Sequence, residues 1–338
     1  MAKEIAKGRS SPKMKVRTVS WKELKSDTKN WFRYIAVTDG KLVRIFNRLA
    51  RSPKLSTLSS LANPVRGFEM EKGAMQSLIL NREDRALRSK DVWVIDEEDK
   101  DIVRFRHKDL PERFEVPKNC VIGALRRSSG VNRINVTELL DYVVVERGWK
   151  DFERFKELSN SEPSSETREK VERRLGNVLI SWRLNLSAPG THLLAFYAAK
   201  YASPSKMFWS IKLSDENDAK ILTLFLNSTF NLLQYLLSRV ETEGAFIEIF
   251  KYILEDFYVL DPRKLTTRRR KYLLRVFDKV KNKEFPSILQ QLEEECKLRK
   301  KIDRAVMKAL NMRVSLKRLY KGLAEEIRAL KELMEGGA

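Results

Sequence analysis

From Ile221 to Ser238 the chain carries no charged residue, although 33% of the sequence is Asp, Glu, Lys or Arg. A stretch of this kind must be removed from water, and roughly 20 apolar residues are enough to span a bilayer. Its composition points elsewhere. Asn227, Ser228, Thr229, Asn231 and Gln234 interrupt it, and Ser214-Asp215-Glu216 lead into it as an N-cap with acidic first-turn residues. The expectation is a helix over Asp215 to Val240, buried inside a soluble domain and not in a membrane. A core able to enclose it is within reach of 338 residues, 42% of them hydrophobic. That length suggests two domains at about 150 residues each, and the hydrophobic content excludes disorder across the whole chain.

Around this stretch the chain divides into four segments. Residues 1–30 form a basic arm. Over 31–158 short helices mix with strands: Asp91 to Ile95 and Asp101 to Arg106 alternate at period two about the acidic turn 96–100, which predicts a hairpin. Val121 to Leu125 and Tyr142 to Val145 supply further strands. Residues 159–262 open on a polar Ser/Glu/Pro connection and a charged helix, then read as strands at Val178 to Leu186, His192 to Tyr197 and Met207 to Leu213. In 263–338, apolar residues from Leu289 to Leu310 and from Leu316 to Met334 recur at spacings of mostly three and four, which predicts two helices packed as a hairpin or coiled-coil-like extension. The fold class is α+β.

Several chemistries find no support. The sequence lacks a dinucleotide-binding glycine fingerprint, a phosphate-binding Walker loop and a nucleophile elbow. Two cysteines (Cys120, Cys296) and two histidines (His107, His192) supply neither a disulfide framework nor a Cys/His zinc site, and a reducing cytoplasmic setting is expected. No catalytic residue and no metal ligand is assigned. One alternative stands: the acidic cluster from Asp91 to Asp101, with Glu98 and Lys100, has the residue types of a Mg²⁺-dependent DNA nuclease. A solvated turn between two strands explains the same residues.

Charge makes the positive case. Sixty-seven Lys and Arg against 46 Asp and Glu leave a net charge of +21, which calls for a polyanionic partner and ranks nucleic acid above a membrane surface. RNA and DNA are not separated by that figure, so an RNA-binding protein stands as a further alternative. Residues 263–283 hold ten Lys/Arg against Asp278 alone. In a helix Arg268, Lys271, Arg275 and Lys279 share one face, as a row that tracks phosphates would. Arg263, Arg268, Arg269, Arg270, Lys271 and Arg66 are therefore the phosphate candidates. Arg126-Arg127 and Arg133, in a Ser/Gly-rich loop after a strand, together with Lys200 and Lys206 about a Ser/Pro segment, are the base-reading candidates.

Lys206 to Lys212, then Leu222 to Phe230 with its Leu226-Asn227-Ser228 element, then Glu241 to Phe250 and Tyr258 to Pro262 follow a recognisable order. That order resembles the target-recognition region of N6-adenine DNA methyltransferases in restriction-modification systems, of the type IIG and type I specificity-subunit kinds. Leu55 to Glu69 is similar to the start of such a region, and Trp21 to Tyr34 to the tail of the methyltransferase domain before it. The resemblance covers roughly residues 20–262. It implies a double-stranded DNA partner and a methyltransferase catalytic subunit or domain. Full enzymes of the family carry an N-P-P-[YF] element; here the one Asn-Pro reads Asn63-Pro64-Val65-Arg66. Without the second proline and the ring, this motif does not hold a flipped adenine. The implied protein reads DNA without methylating it, with S-adenosylmethionine bound only by a partner, and with its last two helices docking that partner.

Overall fold

The computed structural model describes residues 19–26, 34, 36–37, 39–70, 72–85, 89–241 and 246–335. Most of the basic arm, positions 31–33 and positions 242–245 lie outside the described residues. What is described is an α+β fold with C-terminal helices. Its centre is a seven-stranded sheet in the order Val65–Arg66, Phe208–Ile211, Gly176–Ser181, Ala195–Pro204, Val121–Leu125, Asp141–Val144, Ile79–Leu80. All neighbours are antiparallel except Ala195–Pro204 with Val121–Leu125. Gly176–Ser181 lies buried along its whole length, so it reads as a continuous apolar run and not as an alternation. The acidic hairpin forms as expected, Trp93–Glu98 with Ile102–His107, and gains a third strand, Arg113–Pro117. This small sheet closes on its own aromatic core, in which Trp93 packs edge-on to Phe105 and Phe114.

The uncharged stretch is two helices, Glu216–Leu226 and Thr229–Ser238, meeting at 65°. The expected single helix breaks because Asn227 has another task. Its Oδ1 accepts from the Leu194 and Ala195 amides at 3.0 and 3.2 Å, and its Nδ2 donates to the Ala195 carbonyl at 2.7 Å. One buried amide thus pins the helix to the central strand, and Ser228 starts the next helix by accepting from the Asn231 amide. No single helix among the described residues is long and apolar enough to cross a membrane, and the two helices of this bent pair are largely buried in the core.

Helices Thr267–Val280, Ile288–Glu293, Lys297–Leu310 and Leu316–Glu335 complete the chain. Their apolar stripes turn inward: Ile302, Val306, Leu319, Leu323 and Ile327 belong to the same core as the central sheet. These stripes pack against the protein's own sheet and helices. A buried polar network fixes the packing. Asp303 accepts from the Thr229 amide at 2.7 Å and the Tyr320 hydroxyl at 2.6 Å, and Arg299 donates to Gln291 at 2.7 Å. Every member has a partner, so the network adds rigidity where an isolated buried charge would destabilise. The main core draws on residues from Tyr34 to Ile327 and joins the segments 31–158, 159–262 and 263–338 by packing.

Candidate nucleic-acid interface

Thr266 caps the helix Thr267–Val280, which buries Leu273, Val276, Phe277 and Val280. That leaves the opposite face to Arg268, Lys271, Arg275 and Lys279, all exposed. None of the four forms an ion pair among the described residues. At 1.5 Å per residue the row is about 16 Å long, and four phosphates along one DNA strand occupy a similar distance. The two other arginines of the helix are engaged: Arg269 donates to Asn311 at 2.6 Å, and Arg270 pairs with Asp218 at 2.6 Å and Asp215 at 3.2 Å. Arg263 is exposed but forms a 2.9 Å ion pair with Asp261.

A second row, unnoticed in the sequence, runs along Lys297–Leu310. Lys297, Lys301, Arg304 and Lys308 are exposed at spacings of four, three and four. The same periodicity that marks the first row was available there, but the apolar stripe of this helix drew the reading. Two contacts set the rows side by side. The Lys308 ammonium lies 4.6 Å from the Tyr272 ring centre, and Arg269 reaches Asn311. The paired numbers run in opposite directions, so the helices are antiparallel, and the register brings Lys301 opposite Lys279 and Arg304 beside Arg275–Val276. The result is a two-row cationic face without carboxylates among these eight positions.

The loop with Arg133 docks at one end of this face. The Phe285 amide donates to Asn132 and the Asn135 amide to Lys281, at 2.8 and 2.9 Å, while Arg133 pairs with Glu284 at 2.6 Å and stays half-exposed. Lys200 is exposed, but the Ser/Pro segment that follows it, expected as a loop, continues its strand. Lys200 rides on a bulge between Tyr197 and Ala202 within the strand Ala195–Pro204, because Ser203 and Pro204 pair in parallel with Ala124 and Leu125. Lys206 is half-exposed and bound to Glu69.

The arginine pair after Val121–Leu125 is a correction. Arg126 is buried, donates to Asp91 from both Nη atoms at 2.9 and 3.0 Å, and has Asp141 3.5 Å from its Nε. Arg127 donates to Asp91 at 3.1 Å with its side chain 18% exposed. Two carboxylates with no exposure draw these guanidinium groups inward, and withdrawing Arg126 to meet a base would take an ion-pair partner from each.

Asp91, one end of the acidic cluster, thereby serves the interior. The remaining carboxylates spread along the hairpin instead of converging: Asp96 pairs with Arg106, Glu97 and Asp99 with Arg104. Burial alone would raise the Glu98 carboxyl, but hydrogen bonds from Lys118, Tyr142 and Arg82 outweigh it and hold it at about 2. No group of three or more candidate metal ligands occurs among the described residues. His107 packs edge-on against Trp93, at 5.0 Å between ring centres.

Arg66 is a tightly constrained cation. Its guanidinium carbon lies 3.5 Å from the Trp182 ring centre and 5.2 Å from that of Trp209, and its Nε donates to the Lys206 carbonyl. Desolvation lowers its pKa to about 10 against the opposing charge of Glu248, so it remains a cation at neutral pH.

Comparison with known proteins adds a likeness of fold. The chain matches no family model and no curated protein. It superimposes on the crystal structure of the type IIG restriction endonuclease BpuSI with a TM-score of 0.56 and 15% sequence identity. The match covers 97% of this chain and 37% of that enzyme, so this chain spans little more than a third of its length.

Proposed function

We propose that this chain binds double-stranded DNA and supplies sequence recognition in a restriction-modification system, directing an N6-adenine methyltransferase that resides in a partner subunit or in another domain. The observation that carries the reading is the two-row cationic face. A merely solvated helix surface mixes signs; eight exposed cations on two antiparallel helices, none of them in an ion pair among the described residues, match a polyphosphate instead. The likeness of fold to part of a type IIG restriction endonuclease supports the choice of DNA and of a restriction-modification setting. Asn63-Pro64-Val65-Arg66, in place of an adenine-binding element, supports a chain that reads DNA while methyl transfer and S-adenosylmethionine belong to the partner.

Binding to a random duplex, followed from about 50 to 400 mM salt, tests the first part. Four to eight phosphate contacts at ~0.9 each give a log–log slope of about −4 to −7. Selection from a random duplex pool tests the second, with enrichment of a short adenine-containing motif as the expected result. A slope near zero, or structured RNA displacing duplex DNA at ~150 mM salt, would overturn the reading.

A further inference from the structure

Arg66 differs from the cations of the two helical rows in having almost no freedom. It sits on the edge strand, where Arg66 pairs with Trp209 and Val65 with Ser210. The next residue, Gly67, is pressed against the neighbouring segment so closely that a Cβ there would lie 2.0 Å from the Ser205 carbonyl oxygen. The backbone behind Arg66 is therefore fixed. Its Nε is taken by the Lys206 carbonyl. Its guanidinium carbon is 3.5 Å from the centre of the Trp182 ring, a separation that only face-to-face stacking permits. What remains is the pair Nη1 and Nη2, which have no protein acceptor among the described residues and are not among the buried unpaired atoms.

A phosphate needs no such preparation, and mobile lysines bind it as point charges. A planar fork with two parallel N–H groups, held in one orientation before binding, matches the O6 and N7 acceptors of guanine in the major groove. The surroundings agree. Glu248, the carboxylate whose charge Arg66 senses, is held by Arg183 at 3.4 Å and does not close the fork. We propose that Arg66 reads a guanine of the recognised duplex through Nη1 and Nη2, with Trp182 as the positioning residue that sets the plane of the fork. This rests on the DNA-binding reading and gives Arg66 a base-reading role in place of the phosphate contact expected from sequence.

The test is selection from a random duplex pool by the full chain, its Arg66→Lys variant and its Trp182→Leu variant. Lysine keeps the charge and loses the fork. The expected result is a motif from the wild-type chain with a guanine position that Arg66→Lys no longer enriches. Discrimination at that position falls by roughly 5- to 150-fold, the worth of one bidentate pair, while affinity for random duplex stays within about twofold. Trp182→Leu relaxes the same position and no other; if that variant unfolds, Arg66→Lys alone decides. An unchanged motif from Arg66→Lys overturns the assignment and leaves the DNA-binding reading intact, as does equal weakening on all sequences, which marks a phosphate contact. No motif from the wild-type chain removes both.

Discussion

Replacing Lys271 and Arg275 by glutamine should move stability and DNA binding in opposite directions. In the row on Thr267–Val280 these residues form three like-charged neighbour pairs, Arg268 with Lys271, Lys271 with Arg275, and Arg275 with Lys279, at spacings of three, four and four. Each such pair destabilises a helix by about 0.2–0.5 kcal/mol, and the double substitution removes all three. Glutamine matches lysine and arginine closely in helix propensity, so a net gain of about 0.6–1.5 kcal/mol is expected. Lys301 and Arg304 on the adjacent helix add repulsion that points the same way. Binding to DNA loses two phosphate contacts, which lowers the salt slope by ~1.8 and the affinity at 150 mM salt by about 30-fold. Urea denaturation reads the first quantity and a salt series with random duplex the second. A control with the same change in net charge is Lys170→Gln with Arg173→Gln, where both cations pair with glutamates on their own helix. An unchanged slope in the row variant, or an equal fall in the control, would refute the argument, because either result leaves only bulk charge at work.

Arg126→Ala should unfold or severely destabilise the protein and not relax its sequence preference, since it takes an ion-pair partner from both buried carboxylates, Asp91 and Asp141, at a cost of about 3–5 kcal/mol; a folded variant with an altered selected motif would contradict this. Glu98 contributes a defined acid sensitivity. Its folded pKa of about 2 lies below its ordinary value of 4.5, so its stabilisation is complete above pH 4.5 and is lost as pH falls toward 2. Partial exposure screens that contribution to the order of 1–2 kcal/mol; stability measured from pH 6 to 2 in Glu98→Gln should show a shallower decline, and an unchanged curve would count against it.

What the sequence made legible was local. The first cationic row follows from spacing alone, because residues three and four apart on a helix share a face whatever surrounds them. The hairpin and the strands over 121–125 and 142–145 follow from alternation and β-branched composition. Misreadings arose where the deciding partner lies far along the chain. Nothing near Arg126 reveals that Asp91 and Asp141 wait for it, and nothing near Lys200 shows that Ser203 and Pro204 complete a strand against Ala124 and Leu125. The break at Asn227 is set by the Ala195 backbone. Arg66 was legible as a basic residue, but its constraint comes from Trp182 and Lys206, more than a hundred positions away.

The distribution of partners, more than the net charge of +21, separates two kinds of work. In the strand-rich part most arginines are spoken for, Arg82 by Glu98, Arg104 by Glu115 and Arg126 by Asp91. The unpaired excess gathers on the helices Thr267–Val280 and Lys297–Leu310, on side chains that are long, exposed and free to follow a backbone. Arg66 is the inverse case, one fork with its plane, backbone and Nε all fixed. Phosphate contacts position a protein on DNA and base contacts specify where, so the two sets should act independently. A chain carrying Lys271→Gln, Arg275→Gln and Arg66→Lys should combine the two effects, with the slope lowered by ~1.8 as in the row variant and the guanine position relaxed as in the Arg66 variant. A combined loss of affinity well beyond the sum would show that the rows and the fork serve a single contact, and the division of labour drawn from their geometry would fail.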